Sequence, residues 1–119
     1  LADSIAVGVP RNFIKAVTAV RESGGITVNV SDKEILDAMK LLGRTSGVFG
    51  EPAGVAGAAG LVKAVKEGKI AMDATVVSVV TGNGLKDIAS ATTAAGKPLS
   101  VPPEMDKLLA AFKENGGPQ

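Results

Sequence analysis

The chain lacks the side chains that carry the most common enzymatic chemistry. Its 119 residues include no cysteine, histidine, tyrosine or tryptophan. The absence of cysteine excludes disulfides and thiol chemistry. The absence of histidine removes the most common proton shuttle and metal ligand, so we expect no metal site. Any catalysis by the chain's own side chains would therefore depend on lysine, aspartate, glutamate, serine or threonine.

A charge excess and long apolar runs are also missing. Hydrophobic residues make up 45% of the chain, charged residues 21%, and the formal net charge is +1. Glycine and charged residues interrupt the apolar stretches. We therefore expect a globular protein of cytoplasmic location, with no membrane span, no signal peptide and no nucleic-acid or membrane partner. Because the chain opens on Leu1 within an ordinary pattern, we expect it to be a fragment of a longer protein.

The most distinctive stretch is TVVSVVTGNGLKD, at residues 75–87. Four of the six residues in 75–80 are valine, which predicts an interior strand covered on both faces, as in a parallel sheet. Gly82 and Gly84 follow, and a short helix is expected from Leu85. Ligands of open α/β sheets bind beyond the carboxyl ends of the strands. Thr81, the first hydroxyl after the strand, is therefore the main candidate for a ligand contact.

The rest of the chain alternates helical and extended patterns. Apolar residues at helical spacing predict helices from Pro10 to the Gly24-Gly25 pair, over 31–42 with Gly43 as its stop, over 52–67 and over 104–115. Ser31 and Glu34 have the spacing of a capping box. Short strands are expected at 26–30 and 48–49, and a surface connection at 88–103. This order predicts an α/β fold with a layered, mostly parallel sheet flanked by helices, forming one unit over residues 1–119.

Several residues have two explanations at this stage. Thr81 could contact a ligand, or it could cap the helix starting at Leu85 or stabilise the turn. Glu51 could simply place a favourable charge at the amino end of the helix that begins at Pro52. That helix contains Gly54, Gly57 and Gly60, although each glycine inside a helix costs roughly 1 kcal/mol relative to alanine. Either close packing or the approach of a ligand to the helix amino end would account for them.

Five segments in colinear order resemble one known family. They lie at 1–12, 19–25, 30–36, 47–61 and 75–87, and together they resemble the carboxyl-terminal third of the threonine synthases. GVFGEPAG and TGNGLKD are the most specific of these motifs, because related dehydratases and serine racemase typically carry Ser-Gly-Gly-Asn in place of the second. The family comprises pyridoxal-phosphate enzymes with the tryptophan-synthase β-subunit fold, so the resemblance implies that the chain is part of a larger fold of that kind.

The resemblance implies a specific reaction and two cofactor contacts. The family converts O-phospho-L-homoserine and water into L-threonine and phosphate, as a lyase of amino-acid biosynthesis, and a homodimer is expected. Thr81 matches the position whose hydroxyl meets the pyridine nitrogen of pyridoxal 5′-phosphate. A neutral hydroxyl there can donate to an unprotonated nitrogen, which tempers the electron withdrawal that a carboxylate would promote. Glu51 matches a carboxylate near the cofactor ring.

The resemblance also implies what this chain does not supply. None of its lysines matches the context of the family's Schiff-base lysine, so we expect no catalytic residue here and no activity from the isolated chain. Its first partner would be the remainder of the same enzyme chain, and its stability alone would be marginal. Two alternatives remain: another enzyme of the same superfamily, similar to threonine or serine dehydratase, or a non-catalytic truncated module that packs with another chain.

Overall fold

A computed structural model describes residues 1–116. Residues 117–119, the end of the unit predicted over 1–119, lie outside the described part. The α-helices of the described residues are α1 (Phe13–Glu22), α2 (Asp32–Ser46), α3 (Pro52–Lys66), α4 (Ile88–Ala95) and α5 (Met105–Glu114). Short 3-10 helices at Asp3–Ile5 and Gly84–Lys86 complete the regular structure. The four predicted helices are thus confirmed, with changes at their ends, and one further helix is present.

The core lies where α2 packs against α3. The buried residues of the two helices are Ile35, Ala38 and Met39 from α2, and Val55, Ala58 and Ala59 from α3. They recur at the spacing that places them on one face of each helix. Val55 is completely buried, and α4 packs on α2 through Ala91 and Ala94. The result is a small helical core beside the start of α3, where the candidate site residue Glu51 lies.

Sequence signals predicted the start of α2 well and its end less well. The Glu34 N–H donates to Ser31 Oγ over 3.3 Å, and the Ser31 N–H donates to Glu34 Oε2 over 2.7 Å, which confirms the capping box. The expected stop at Gly43 is wrong, because α2 continues to Ser46. Gly47, with a φ of 71°, is the glycine that adopts the left-handed conformation and ends the helix.

The capping box leads to a prediction about pH. The pKa of Glu34 is lowered to about 2, chiefly by the Ser31 backbone N–H and then by Lys63 and the Ser31 hydroxyl. Because the folded pKa lies below the ordinary value of 4.5, the carboxylate stabilises the fold above that value. This stabilisation is lost as the pH falls towards about 2. Glu34→Gln should therefore lower the thermal midpoint at neutral pH, and its difference from the unchanged protein should shrink steadily on acidification.

A matched control for this prediction is Glu22→Gln at the end of α1, because Glu22 forms no ion pair within the described part of the chain. Melting curves of the whole protein at several pH values would check it. A Glu34→Gln difference that stays constant on acidification would contradict the assignment.

The predicted sheet does not form within residues 1–116. Segments 26–30, 48–49 and 75–80 form neither helix nor strand, and the one bridge in the described region joins Gly50 to Asn83. Residues 75–80 were expected to be buried, yet Val77 is 88% exposed. Val48 and Phe49 are also exposed, against expectation. The physical reason is that a strand needs a partner for its backbone hydrogen bonds, and no described segment pairs with residues 75–80.

The surface connection expected at 88–103 contains the additional helix, α4. Asp87 precedes it as the capping residue, and its carboxylate accepts hydrogen bonds from the Ser90 N–H and hydroxyl, at 2.9 and 2.6 Å. These bonds lower the pKa of Asp87. Ser90 is buried against the core. The expectation of a connection was therefore wrong for the first half of this stretch, since its alanine and threonine residues form a packed helix.

The molecule is elongated. Its radius of gyration is 18.2 Å and its principal extents are 61 × 34 × 19 Å, whereas a compact domain of this length would have a radius of about 13.5 Å. Phe13 and Ile14 on α1 are exposed.

In the part of the chain that the structure describes, no helix has the length and apolar character needed to cross a membrane.

Candidate functional site

Two backbone hydrogen bonds join the turn after the valine-rich segment 75–80 to the start of α3. The Glu51 N–H donates to the Gly82 carbonyl and the Gly84 N–H donates to the Phe49 carbonyl, each over 3.0 Å. These two bonds form the antiparallel bridge between Gly50 and Asn83. The bonds hold residues 49–51 and 82–84, which are about thirty residues apart in the sequence, in a fixed register. Thr81 and Glu51 lie close to this bridge.

Close packing explains two of the glycines near this bridge, against backbone atoms for Gly54 and against the Glu51 side chain for Gly82. A Cβ atom on Gly54 would lie 2.9 Å from the Gly82 nitrogen and 3.2 Å from the Thr81 nitrogen. A Cβ atom on Gly82 would overlap the Glu51 carboxylate. The close-packing explanation is thus confirmed for Gly54. It does not extend to Gly57, where a Cβ would meet nothing within 4 Å, or to Gly60, which has only an ordinary contact with Val28.

Glu51 is a buried carboxylate held by two partners. It is 5% exposed. Lys86 Nζ donates to its Oε1 over 3.0 Å, and Ser4 Oγ donates to its Oε2 over 3.2 Å. Although Glu51 is the residue before α3, its side chain accepts no hydrogen bond from the helix N–H groups. Helix capping therefore does not account for the orientation of this side chain, which is directed instead to the turn after Thr81.

Thr81 is exposed at the end of the valine-rich segment 75–80. The alternative that it caps the helix starting at Leu85 is wrong, because Asn83 Oδ1 accepts the hydrogen bond from the Leu85 N–H over 2.9 Å. Within residues 1–116 the Thr81 hydroxyl takes part in no side-chain hydrogen bond. It is therefore available to a ligand, and the proposed ligand contact remains a prediction.

A small cavity lies beside the Glu51 carboxylate. It has a volume of about 170 Å³, and Ser4, Glu51, Pro52 and Lys86 are among the residues that line it. Sequence reasoning missed Ser4 and Lys86 as partners of Glu51. The proximity of Lys86 to the TGNG turn was the one available signal. Thr81 is not among the residues that line this cavity. In the described region, no group of acidic side chains could hold a metal ion.

Comparison with known proteins gives a consistent result. The family model described as "Pyridoxal-phosphate dependent enzyme" matches residues 1–82. Threonine synthase from Methanocaldococcus jannaschii is 41% identical over 114 residues, which cover 96% of this chain and 28% of that protein. Threonine synthase from Bacillus sp. (strain ULM1) is 49% identical over 87 residues, which cover 73% of this chain and 25% of that protein.

A third relative, threonine synthase from Methanosarcina acetivorans, is 42% identical over 112 residues, covering 94% of this chain and 28% of that protein. The chain thus spans about a quarter of the length of the curated relatives that it matches.

Proposed function

This chain belongs to the pyridoxal-phosphate dependent enzymes, and we propose that the whole protein is a threonine synthase. It would convert O-phospho-L-homoserine and water into L-threonine and phosphate, with pyridoxal 5′-phosphate as the cofactor. The observation that carries the proposal is that threonine synthases match between 73% and 96% of the chain at 41% to 49% identity. This chain would supply the side of the active site that faces the cofactor's ring nitrogen.

Thr81 fits a contact with that nitrogen. Pyridoxal phosphate, when bound, supplies an electron sink that stabilises negative charge next to the amino group of the substrate. A threonine hydroxyl can donate to an unprotonated pyridine nitrogen without transferring a proton to it. Three observations support this assignment: Thr81 is exposed, Asn83 performs the capping role in its place, and the bond from the Glu51 N–H to Gly82 fixes the adjacent backbone.

Glu51 is the second proposed cofactor contact. Its carboxylate borders the cavity next to the Thr81 turn, and each of its oxygens has a second lone pair free in addition to its bond from Lys86 or Ser4. Because it is buried and paired, we assign Glu51 to orienting the turn and to holding a fixed negative charge near the ring. We assign no proton transfer to it.

We further propose that residues 26–30 and 75–80 are strands of a mostly parallel sheet in the whole protein. Neither segment is helical, and the exposed side chains of Ile26, Val77 and Val79 are ones that an interior strand would bury. The partner would be the remainder of the same enzyme chain. The homodimer and the cytoplasmic location expected from the family resemblance remain predictions, and sedimentation of the whole protein would test the former.

The test of the proposed function is a product assay on the whole protein with pyridoxal phosphate. Supplied with O-phospho-L-homoserine, it should release phosphate and L-threonine in equal amounts. Supplied with L-serine or L-threonine, it should form no 2-oxo acid at a comparable rate. Rapid 2-oxo acid formation without phosphate release would instead identify the dehydratase-like alternative. The isolated 119-residue chain should form neither product.

A further inference from the structure

The backbone of Thr81 rests directly on the first turn of α3. The missing Cβ of Gly54 is what permits this contact, because that atom would lie 2.9 Å from the Gly82 nitrogen, 3.2 Å from the Gly82 oxygen and 3.2 Å from the Thr81 nitrogen. All three neighbours are backbone atoms, which cannot move aside by a change of side-chain rotamer. Gly57, one turn later on the same helix, faces open space.

We propose that residues 51–54, which comprise Glu51 and the first residues of α3, position the Thr81 hydroxyl, and that Gly54 is the positioning residue that sets its distance from the cofactor ring. This inference depends on the proposed function. Gly54 touches neither cofactor nor substrate in this account; it acts through Thr81. Glu51 also holds the turn after Thr81, because its N–H donates to the Gly82 carbonyl and its carboxylate accepts a hydrogen bond from Lys86.

The geometry determines the expected size of the effect. Contacts as close as those of a Cβ on Gly54 force the Thr81–Gly82 backbone to shift by a few tenths of an ångström or more. The hydroxyl would move with the backbone that carries it. Because a misplacement of about 1 Å can cost roughly 100-fold in rate, Gly54→Ala should lower kcat by about 10- to 100-fold. Gly57→Ala adds the same methyl group to the same helix without any such contact.

The experiment compares Gly54→Ala, Gly57→Ala and Thr81→Ala in the whole holoenzyme. The measurements are kcat, KM and the visible absorbance spectrum of the bound cofactor. Gly54→Ala should lower kcat with less than about a twofold change in KM, and should shift the absorbance maximum in the same direction as Thr81→Ala. Gly57→Ala should leave kcat and the absorbance maximum unchanged. The double variant Gly54→Ala/Thr81→Ala should lose no more activity than Thr81→Ala alone, because Gly54 acts through Thr81.

The outcomes separate this inference from the proposed function. A Gly54→Ala enzyme with unchanged spectrum and kcat, or one that behaves like Gly57→Ala, overturns the positioning role even if Thr81→Ala is impaired. A Thr81→Ala enzyme with unchanged spectrum and kcat removes the proposed cofactor contact and the positioning role together. Formation of threonine by the unchanged protein tests the proposed function independently of both.

A second variant tests the positioning of Thr81 if Gly54→Ala does not fold. Lys86→Met adds no bulk, and it removes a side chain that is 59% exposed, so the protein should remain folded. It releases the Glu51 carboxylate from the turn. A smaller shift of the absorbance maximum, in the same direction as for Thr81→Ala, supports positioning by the first turn of α3. An unchanged spectrum contradicts it.

Discussion

Thr81→Asp should reduce threonine formation by at least about 100-fold while the protein remains folded and loaded with cofactor. Loss of one well-placed hydrogen-bond donor costs roughly this much in other enzymes. A carboxylate would in addition hold the ring nitrogen protonated, which changes how strongly the ring withdraws electrons. Because Thr81 is exposed and bonded to no described side chain, its replacement should alter the free energy of unfolding by less than about 0.5 kcal/mol.

Two milder variants provide the controls for this prediction. Thr81→Ser keeps the hydroxyl and should retain most of the activity. Thr81→Ala loses one hydrogen bond, worth about 1–3 kcal/mol in the reacting complex, which corresponds to roughly a 5- to 160-fold loss. The measurement is kcat for threonine formation together with the cofactor content of each purified variant. A Thr81→Asp enzyme with unchanged kcat would contradict the contact between Thr81 and the ring nitrogen.

Lys86→Met should destabilise the protein more than removal of its negatively charged partner does. Without Lys86, the Glu51 carboxylate remains 5% exposed and retains only the Ser4 hydroxyl as a side-chain donor. Leaving a buried charge without its partner costs several kcal/mol when both groups are buried. Because the Lys86 side chain is 59% exposed, we expect a smaller loss, of about 1–3 kcal/mol.

The test uses urea unfolding of the cofactor-free whole protein. Glu51→Gln should cost less than Lys86→Met, and the double variant should be more stable than Lys86→Met alone, because it no longer buries an unpaired charge. The matched control is Lys33→Met, which removes a lysine of similar reach from Asp37, a pair whose side chains are both exposed. That variant should show no measurable change. Equal effects of the two lysine substitutions would mean that burial of Glu51 does not matter.

Local signals in the sequence predicted local structure accurately. The Ser31 and Glu34 capping box forms as expected, and Pro52 is the first residue of α3. Both depend on contacts between residues only a few positions apart. The helix stop at Gly43 was wrong because two nearby glycines could end α2, and Gly47 is the one that adopts the left-handed conformation. Helix α4 was missed because an alanine- and threonine-rich composition does not distinguish a packed helix from a connection.

Signals that depend on distant partners were less informative. The valines of 75–80 have the composition of a buried strand, but a strand also requires a paired neighbour, and no segment of the described residues pairs with this one. The family resemblance selected Thr81 and Glu51. It did not predict that Glu51 would pair with Lys86 or that Gly54 would contact the Thr81 backbone. These contacts join residues 27 to 35 positions apart, and no local pattern in the sequence encodes them.

The protonation state of the cofactor's ring nitrogen tests the central claim most directly. Nitrogen NMR on the whole protein, loaded with pyridoxal phosphate labelled at that nitrogen, would measure it. The Thr81 hydroxyl predicts an unprotonated nitrogen in the unchanged protein and a protonated one in Thr81→Asp. A protonated nitrogen in the unchanged protein, or the same nitrogen signal in the unchanged protein and in Thr81→Asp, would contradict the contact between Thr81 and the ring nitrogen.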